Sequence, residues 1–158
     1  MKRIVILAAA LAWGQAGAIP TPVNPLYNLT DLQGGPFKTA LLEPSAGRDQ
    51  KVLVYFWATW CSTCEVKLMK TLPEWKAAKG IQVLTVNTDK DNDKVRHYLS
   101  KREITLPVAK DESREFLKSL RILSMPSWAV YKVSAAQWSL IDSAGGFDED
   151  RVLKAIQN

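Results

Sequence analysis

VLVYFWATWCSTC, residues 52 to 64, is the stretch from which the architecture can be read. Its first half, Val52 to Trp57, is a continuous apolar run rich in β-branched and aromatic side chains, which predicts a central strand buried on both faces. Directly behind it, Trp60-Cys61-Ser62-Thr63-Cys64 places a C-x-x-C pair where strand gives way to helix. From Cys64 to Lys79 the apolar residues Val66, Leu68, Met69, Leu72 and Trp75 keep a helical period, and Gly80 ends the element. Pro73 lies inside it. A proline there removes a backbone donor and crowds the preceding turn, so a kink is predicted.

Working outward, Ile81 to Val86 reads as a second buried strand, and Asp91 to Lys101 as a helix with Val95, Tyr98 and Leu99 on one face. Leu106 to Ala109 is a short strand. Ser113 to Leu120 is a helix with Ser113 as its expected N-cap and Phe116, Leu117 and Leu120 facing inward. Ser127 to Val133 and Gln137 to Ile141 are two strands joined by a short turn. A last helix begins near Asp148, with acids at its positive end and Val152, Leu153 and Ile156 as the buried stripe. On the N-terminal side, Leu26 to Leu32 alternates loosely, Gly34 and Gly35 are expected to supply the positive φ values of a hairpin turn, and Phe37 opens the return strand. Pro44 to Gln50 is a polar loop. Strands alternating with helices, then a terminal hairpin and helix, describe an α/β domain with a mixed central sheet.

The 158 residues, 47% of them hydrophobic and six of them tryptophan, suffice for one buried core and so for a single domain. The formal charge is +5, but Lys2 and Arg3 belong to an N-terminal segment expected to be removed, which leaves about +3. Lysine and arginine are interleaved with acids, so nucleic acid is not an expected partner. Residues 1 to 18 read as a secretory signal: Lys2 and Arg3, the apolar run Ile4 to Trp13, then Ala16, Gly17 and Ala18 before the expected cleavage. The competing reading is an uncleaved N-terminal membrane anchor, against which the run falls short of the roughly 20 residues that span a bilayer. Ile19 to Pro25, with three prolines, is an extended lead-in, and the domain is expected over residues 26 to 158. Export bears on the chemistry, since disulfides persist in oxidising compartments.

A cysteine at a helix N-terminus faces unpaired N–H groups and the positive end of the dipole, which favour the thiolate. Thiols in such motifs ionise at about 3.5 to 7.5 instead of about 8.5. Cys61 is therefore the expected nucleophile, presented as an exposed anion, and Cys64, one turn along, the resolving thiol that releases a mixed disulfide. A zinc site is a competing reading, but two cysteines and one distant histidine fall short of four ligands. A purely structural disulfide is the other, and closing so short a loop would restrict the unfolded chain little. No metal and no cofactor is expected.

Residues 52 to 64 resemble the active-site strand and turn of thioredoxins, above all the exported TlpA/ResA-like thioredoxins, and the resemblance extends over about residues 26 to 158. The leading segment LTDLQGGPF, a helix-strand segment between Asp89 and Ala109 that plain thioredoxins lack, and Met125-Pro126 before a strand also match. The resemblance implies a thioredoxin fold with an N-terminal β-hairpin and an inserted helix-strand segment. It implies a cis bond at Pro126, packed against the cysteines, and a Met125 backbone free to pair with an extended substrate. An ordinary trans proline opening the strand is the alternative. Trp60, Ser62, Thr63, Met125 and Pro126 are accordingly the supporting and substrate-binding residues. A protein disulfide or dithiol substrate, a membrane electron donor of the thiol-reducing kind, a monomeric state and a reductant role in the periplasm belong to the same resemblance. A periplasmic oxidant or isomerase, and a copper-handling binding module using Cys61, Cys64 and Met125, are the alternative functions.

The sequence also departs from the family. Tyr55 stands where plain thioredoxins carry a buried aspartate, Lys67 where ResA-like chains carry an acid, and Met69 where a helix proline is usual. Lys67 is either a cation favouring thiolate or a solvated residue on the outer helix face. Asp89, Asp91 and Asp93 alternate as in a calcium loop, but Lys94 and Ser100 occupy positions that need glycine and glutamate, so a solvated loop is expected. His97, the sole histidine, is assigned no catalytic or copper role. Trp57 belongs either to the core or, with Trp60, to an apolar rim beside the motif. Gly145 and Gly146 either let the backbone approach that rim or simply precede the last helix.

Overall fold

Among the described residues, five strands form one mixed sheet: β1 (Gln50–Trp57), β2 (Gln82–Asn87), β3 (Val108–Lys110), β4 (Ser127–Ser134) and β5 (Gln137–Gly145). They lie in the order β3-β2-β1-β4-β5, with β1 in the middle. β1 and β2 are parallel, as are β2 and β3, whereas β4 runs antiparallel to both β1 and β5. The computed structural model describes residues 26, 28–38, 49–134 and 137–157; the signal segment, the lead-in, most of the polar loop before β1 and the turn between β4 and β5 lie outside them.

Alternation along β1 divides the core in two, because successive side chains of a strand point to opposite faces. Leu53, Tyr55 and Trp57 pack with Cys64, Leu68, Leu72, Trp75, Val95, Tyr98 and Val152. Val52, Val54 and Phe56 pack on the other face with Leu26, Leu29, Phe116, Leu117 and Tyr131. Every residue from Val52 to Trp57 is fully buried, as expected of a strand covered on both faces. The first face is covered by α1 (Ser62–Val66), α2 (Leu72–Lys79), α3 (Asn92–Lys101) and α5 (Glu149–Gln157); the second by α4 (Glu115–Ser119) and the N-terminal segment.

Several local expectations change form. Ahead of Pro73 the helix passes through a π turn, Lys67–Thr71, in which the Leu72 N–H bonds the Lys67 carbonyl five residues back. A proline cannot donate and its ring crowds the carbonyl four residues back, so the ladder shifts register before reaching it. The N-terminal hairpin reduces to isolated bridges, Thr30 to Pro36 and Thr30 to Lys110. Of its two glycines only Gly34 has positive φ, +84°; the turn is closed by Asp31, whose carboxylate accepts from Gln33 N–H at 2.9 Å and Gly35 N–H at 2.8 Å. β5 runs past Ile141 to Gly145, because backbone pairing with β4 continues through a register shift at Val130/Tyr131 after the apolar pattern ends.

The cap of α4 is also not the expected one. Arg114, at φ 59°, precedes the helix, and Ser113 reaches only Glu115 N–H at 3.4 Å. The buried Asp111 instead accepts from Phe116 N–H at 3.4 Å and Leu117 N–H at 3.1 Å. An end-capping side chain stabilises by about 0.5 to 2 kcal/mol. We expect Asp111→Ala to lower unfolding free energy in urea by about 1 to 2 kcal/mol. Ser113→Ala should cost less than about 0.5 kcal/mol, and equal losses would refute this capping scheme.

Candidate active site

The cysteine pair sits at the end of β1, on a turn closed by the Cys61 N–H bond to the Ala58 carbonyl at 3.1 Å. Cys61 is the N-cap of α1, extended at φ −89° and ψ 94°, with no side chain capping the helix. Cys61 therefore stands at the N-terminus of α1, whose leading N–H groups no side chain caps. Cys61 and Cys64 are joined by a disulfide with their Cα atoms 5.3 Å apart. The two sulfurs are unequally placed: Cys61 keeps 5% of its surface accessible and Cys64 none. In this oxidised state Cys61 is thus buried, not exposed as the sequence led us to expect. The difference still distinguishes the two, Cys61 being the more accessible. Thr63 Oγ1 lies 3.5 Å from the Cys61 sulfur, within reach to donate to a thiolate. Ser62 and Thr63 are exposed.

The Met125-Pro126 bond is cis. Met125 packs against the cluster holding both cysteines, and the following Ser127 pairs with Phe56 of β1, so the proline loop and the cysteine turn leave the same end of the sheet. Gly146 N–H donates to the Pro126 carbonyl at 2.8 Å, tying this loop to the end of β5. Gly145 has the sharper constraint: a Cβ there would stand 2.3 Å from Ser124 Oγ. These two glycines are therefore where the backbone approaches the proline loop. Trp60 is 60% exposed beside the pair, whereas Trp57 is fully buried with its ring 5.4 Å from that of Tyr98, so the rim belongs to Trp60 and the core to Trp57.

Around Cys64 the substituted family positions take new partners. Tyr55 is buried, its hydroxyl donates at 3.5 Å to the Cys64 carbonyl, and its ring meets Phe147 edge-on at 5.3 Å. Desolvation pushes its phenol far above the ordinary value, so at neutral pH it is an uncharged donor. Lys67 is neither free nor simply solvated: its ammonium pairs with Glu149 at the start of α5 and lies 5.4 Å over the Phe147 ring. Its charge is thereby largely answered on the spot. Glu65, next to Cys64, accepts from Arg102 at 2.9 Å and from the Tyr98 hydroxyl at 3.1 Å. The Arg102 guanidinium holds this carboxyl below the usual range, opposed by desolvation and helped by Tyr98. Burial, then the Glu65 carboxylate, push the Tyr98 phenol up to about 12. His97 is exposed on α3, and Asp91 caps that helix by accepting from Lys94 N–H at 3.0 Å.

One cluster was not anticipated from the sequence. Lys110, 1% exposed at the end of β3, donates to Asn87 Oδ1 at 3.0 Å and to the Asp89 carbonyl. Asp89, expected in a solvated loop, accepts from Thr59 N–H at 2.7 Å, Thr59 Oγ1 at 3.2 Å and Asn87 Nδ2 at 2.9 Å. The only trace in the sequence is a lysine closing an apolar strand, which reads equally well as a surface end.

Residues 24–152 match the Redoxin family. The chain belongs to that family. Within it, this Redoxin-family chain is similar to the thiol-disulfide oxidoreductase ResA of Bacillus thuringiensis subsp. konkukian, 29% identical over 106 residues, which covers 65% of this chain and 58% of the relative. It thus spans less than two thirds of that relative's length. It is also similar to sporulation thiol-disulfide oxidoreductase A of Bacillus subtilis, at 23% over 136 residues, covering 78% of this chain and 76% of the relative. Among solved structures, the exposed lipoprotein thioredoxin of Streptococcus pneumoniae superposes with a TM-score of 0.62 at 25% identity, over 82% of this chain and 96% of that one. The Redoxin-family chain is a TlpA/ResA-like member of the thioredoxin superfamily and has the thioredoxin fold.

Two outcomes are expected of this Redoxin-family site. Gly145→Ala should lower unfolding free energy in urea by about 1 kcal/mol, because its Cβ meets the Ser124 hydroxyl, which must turn away, and the loss should recover when Ser124→Ala is added; a double variant as unstable as the single one refutes the steric account. Glu65 has a depressed carboxyl pKa, so its stabilisation is present above the ordinary value of 4.5 and is lost as pH falls through the lowered one. The stability gap between the wild type and Glu65→Gln should therefore narrow in urea titrations from about pH 6 to about pH 3, and a gap constant over that range would exclude the carboxylate as its source.

Proposed function

We propose that this protein is a thiol:disulfide oxidoreductase acting on other proteins in the periplasm or an equivalent exported space, as a reductant. The observation that carries this reading is the Cys61–Cys64 disulfide at a helix N-terminus, with Cys61 the more accessible and a cis-proline loop beside it. In the reduced protein the Cys61 thiolate attacks one sulfur of a partner disulfide. A Cys61–partner bond forms, the partner's S–S bond breaks, and one partner sulfur leaves as thiolate and takes up a proton. Cys64 then loses its proton and attacks the Cys61 sulfur, re-forming the internal disulfide and releasing the second partner sulfur as thiol. Two electrons and two protons pass to the partner. Reversal of these steps regenerates the dithiol at the expense of a membrane thiol-reducing donor.

Trp60, Ser62, Thr63, Met125 and Pro126 surround the reacting sulfur in this scheme. Thr63 donates to the thiolate, Trp60 and Met125 offer apolar contact, and the Met125 backbone pairs with an extended partner segment. Export by the segment 1 to 18, cleaved after Ala18, supplies a compartment in which partner disulfides exist. The protein acts as a monomer. Lys67 in place of an acid is the feature that favours the second reading, a periplasmic oxidant or isomerase; its pairing with Glu149 weighs against it.

Cys64→Ser should accumulate a mixed disulfide through Cys61 with its exported partner, and Cys61→Ser should trap nothing. The wild type should reduce insulin in excess dithiol, with at least a hundredfold loss in either variant. Recovery of small thiols alone would count against a protein substrate, and a Cys61–Cys64 potential above that of glutathione would reverse the proposed direction.

A further inference from the structure

Three strands meet beneath the cysteine turn, and one buried cation joins them. The chain leaves β1 through Ala58, Thr59 and Trp60 to reach Cys61, and Thr59 is held at both its N–H and its hydroxyl by the Asp89 carboxylate. Asp89 lies just past β2 and is itself held by Asn87, the last residue of that strand. Asn87 Oδ1 accepts from Asp89 N–H at 3.0 Å, and Asn87 Nδ2 donates to Asp89 Oδ2 at 2.9 Å. The Lys110 ammonium, from β3, donates to the same Asn87 oxygen and to the Asp89 carbonyl. The Asn87 oxygen, shared by two donors, orients the amide so that its nitrogen must point at Asp89. The Lys110 backbone is covered in turn: Lys110 N–H donates to Thr30 carbonyl at 2.8 Å and Thr30 N–H to the Lys110 carbonyl at 3.3 Å.

A lysine that is 1% exposed is unusual, because taking an ammonium out of water costs several kcal/mol unless hydrogen bonds and an opposite charge offset it. Burial pushes its pKa down, while Asp89 above all, then Glu112 and Asp91, pull it back up. A methionine would fill the same space without that cost. The charge and the donors therefore do something an apolar residue could not. Without them the Asn87 oxygen would lose a donor, and the Asp89 carboxylate, bonded to Thr59 two residues before Cys61, would lose its buried cation. A nearby negative charge disfavours a thiolate.

We propose that Lys110 is a positioning residue for the exchange reaction: through Asn87 and Asp89 it fixes the Thr59 turn that presents Cys61, and its charge offsets the Asp89 carboxylate beneath that turn. The assignment rests on Cys61 being the nucleophile of the proposed exchange. It also gives the N-terminal segment a task, since Thr30 closes the edge strand over the lysine.

The test is the pH profile of Cys61 alkylation by iodoacetamide in the reduced protein, with circular dichroism confirming the fold. Lys110→Met should raise the apparent Cys61 pKa by at least about half a unit, slowing alkylation at neutral pH about threefold. In an Asp89→Asn background the same substitution should move the Cys61 pKa clearly less, because the Asp89 route to the turn is gone and only the direct effect of the ammonium remains. A merely structural lysine would change stability in both backgrounds and the pKa in neither. Should Lys110→Met fail to fold, the wild type decides the matter: the carbon-13 resonance of Lys110 Cε should shift between the oxidised and reduced protein, and an identical shift in both states overturns the proposal. A wild-type Cys61 that alkylates no faster than free cysteine removes the nucleophile itself and this role with it. A fast wild type with an unaltered Lys110→Met profile removes only the role of Lys110.

Discussion

β1 has neither a free face nor a free edge, and the rest of the molecule is arranged to meet that condition. Its six residues from Val52 to Trp57 are fully buried, so helices must cover both sides of the sheet, and β2 and β4 must satisfy its backbone on both sides. A strand enclosed in this way has a rigid end, and the turn attached to that end inherits a fixed position. The Trp57 carbonyl is still tied to Thr88 N–H at 3.1 Å where the chain leaves the sheet. Four residues later comes Cys61. Because β4 pairs antiparallel with β1 from Ser127 opposite Phe56, the cis Pro126 is brought to the same end from the other direction. The cysteine pair and the proline loop are neighbours because both border the same strand.

The electrostatics of that end obey a consistent plan. Charged side chains near the pair are answered by partners: Lys67 by Glu149, Glu65 by Arg102, and the Asp89 carboxylate by hydrogen bonds from Thr59 and Asn87. Tyr55, in the position of a family acid, is neutral and buried against Phe147. With those charges offset, Cys61 keeps its place at the start of α1 and the Thr63 hydroxyl 3.5 Å from its sulfur, both suited to an anion. The π turn after α1 belongs to the same region. It absorbs the register demanded by Pro73 and carries Lys67 at its start, on the side where α5 begins.

The parts of this arrangement that could be read from the chain are those written in short-range periodicity. The continuous apolar run of β1, the helical stripe of Val95 and Tyr98, and the glycine that ends α2 all act over short stretches of chain, and they landed within a few residues of their observed bounds. Caps were read less well. Ser113 is the residue type expected at a helix start, yet Asp111 captures the N–H groups of α4, because Arg114 turns the chain left-handed and brings the earlier carboxylate over the helix end. Gly34 and Gly35 look alike in sequence, but Asp31 closes that turn and requires positive φ of only one of them. β5 outran its apolar pattern since ladder hydrogen bonds do not depend on side-chain polarity.

By itself the sequence determined the order of strands and helices and the placing of two cysteines at a strand-to-helix junction, because both depend on residues adjacent along the chain. Tertiary structure alone decided which distant groups attend that junction: Lys110 and Asp89 under Thr59, Glu149 on Lys67, Ser124 against Gly145. Those partners lie some twenty to eighty residues apart, and their meeting depends on sheet order and strand register, which no local pattern of polarity encodes.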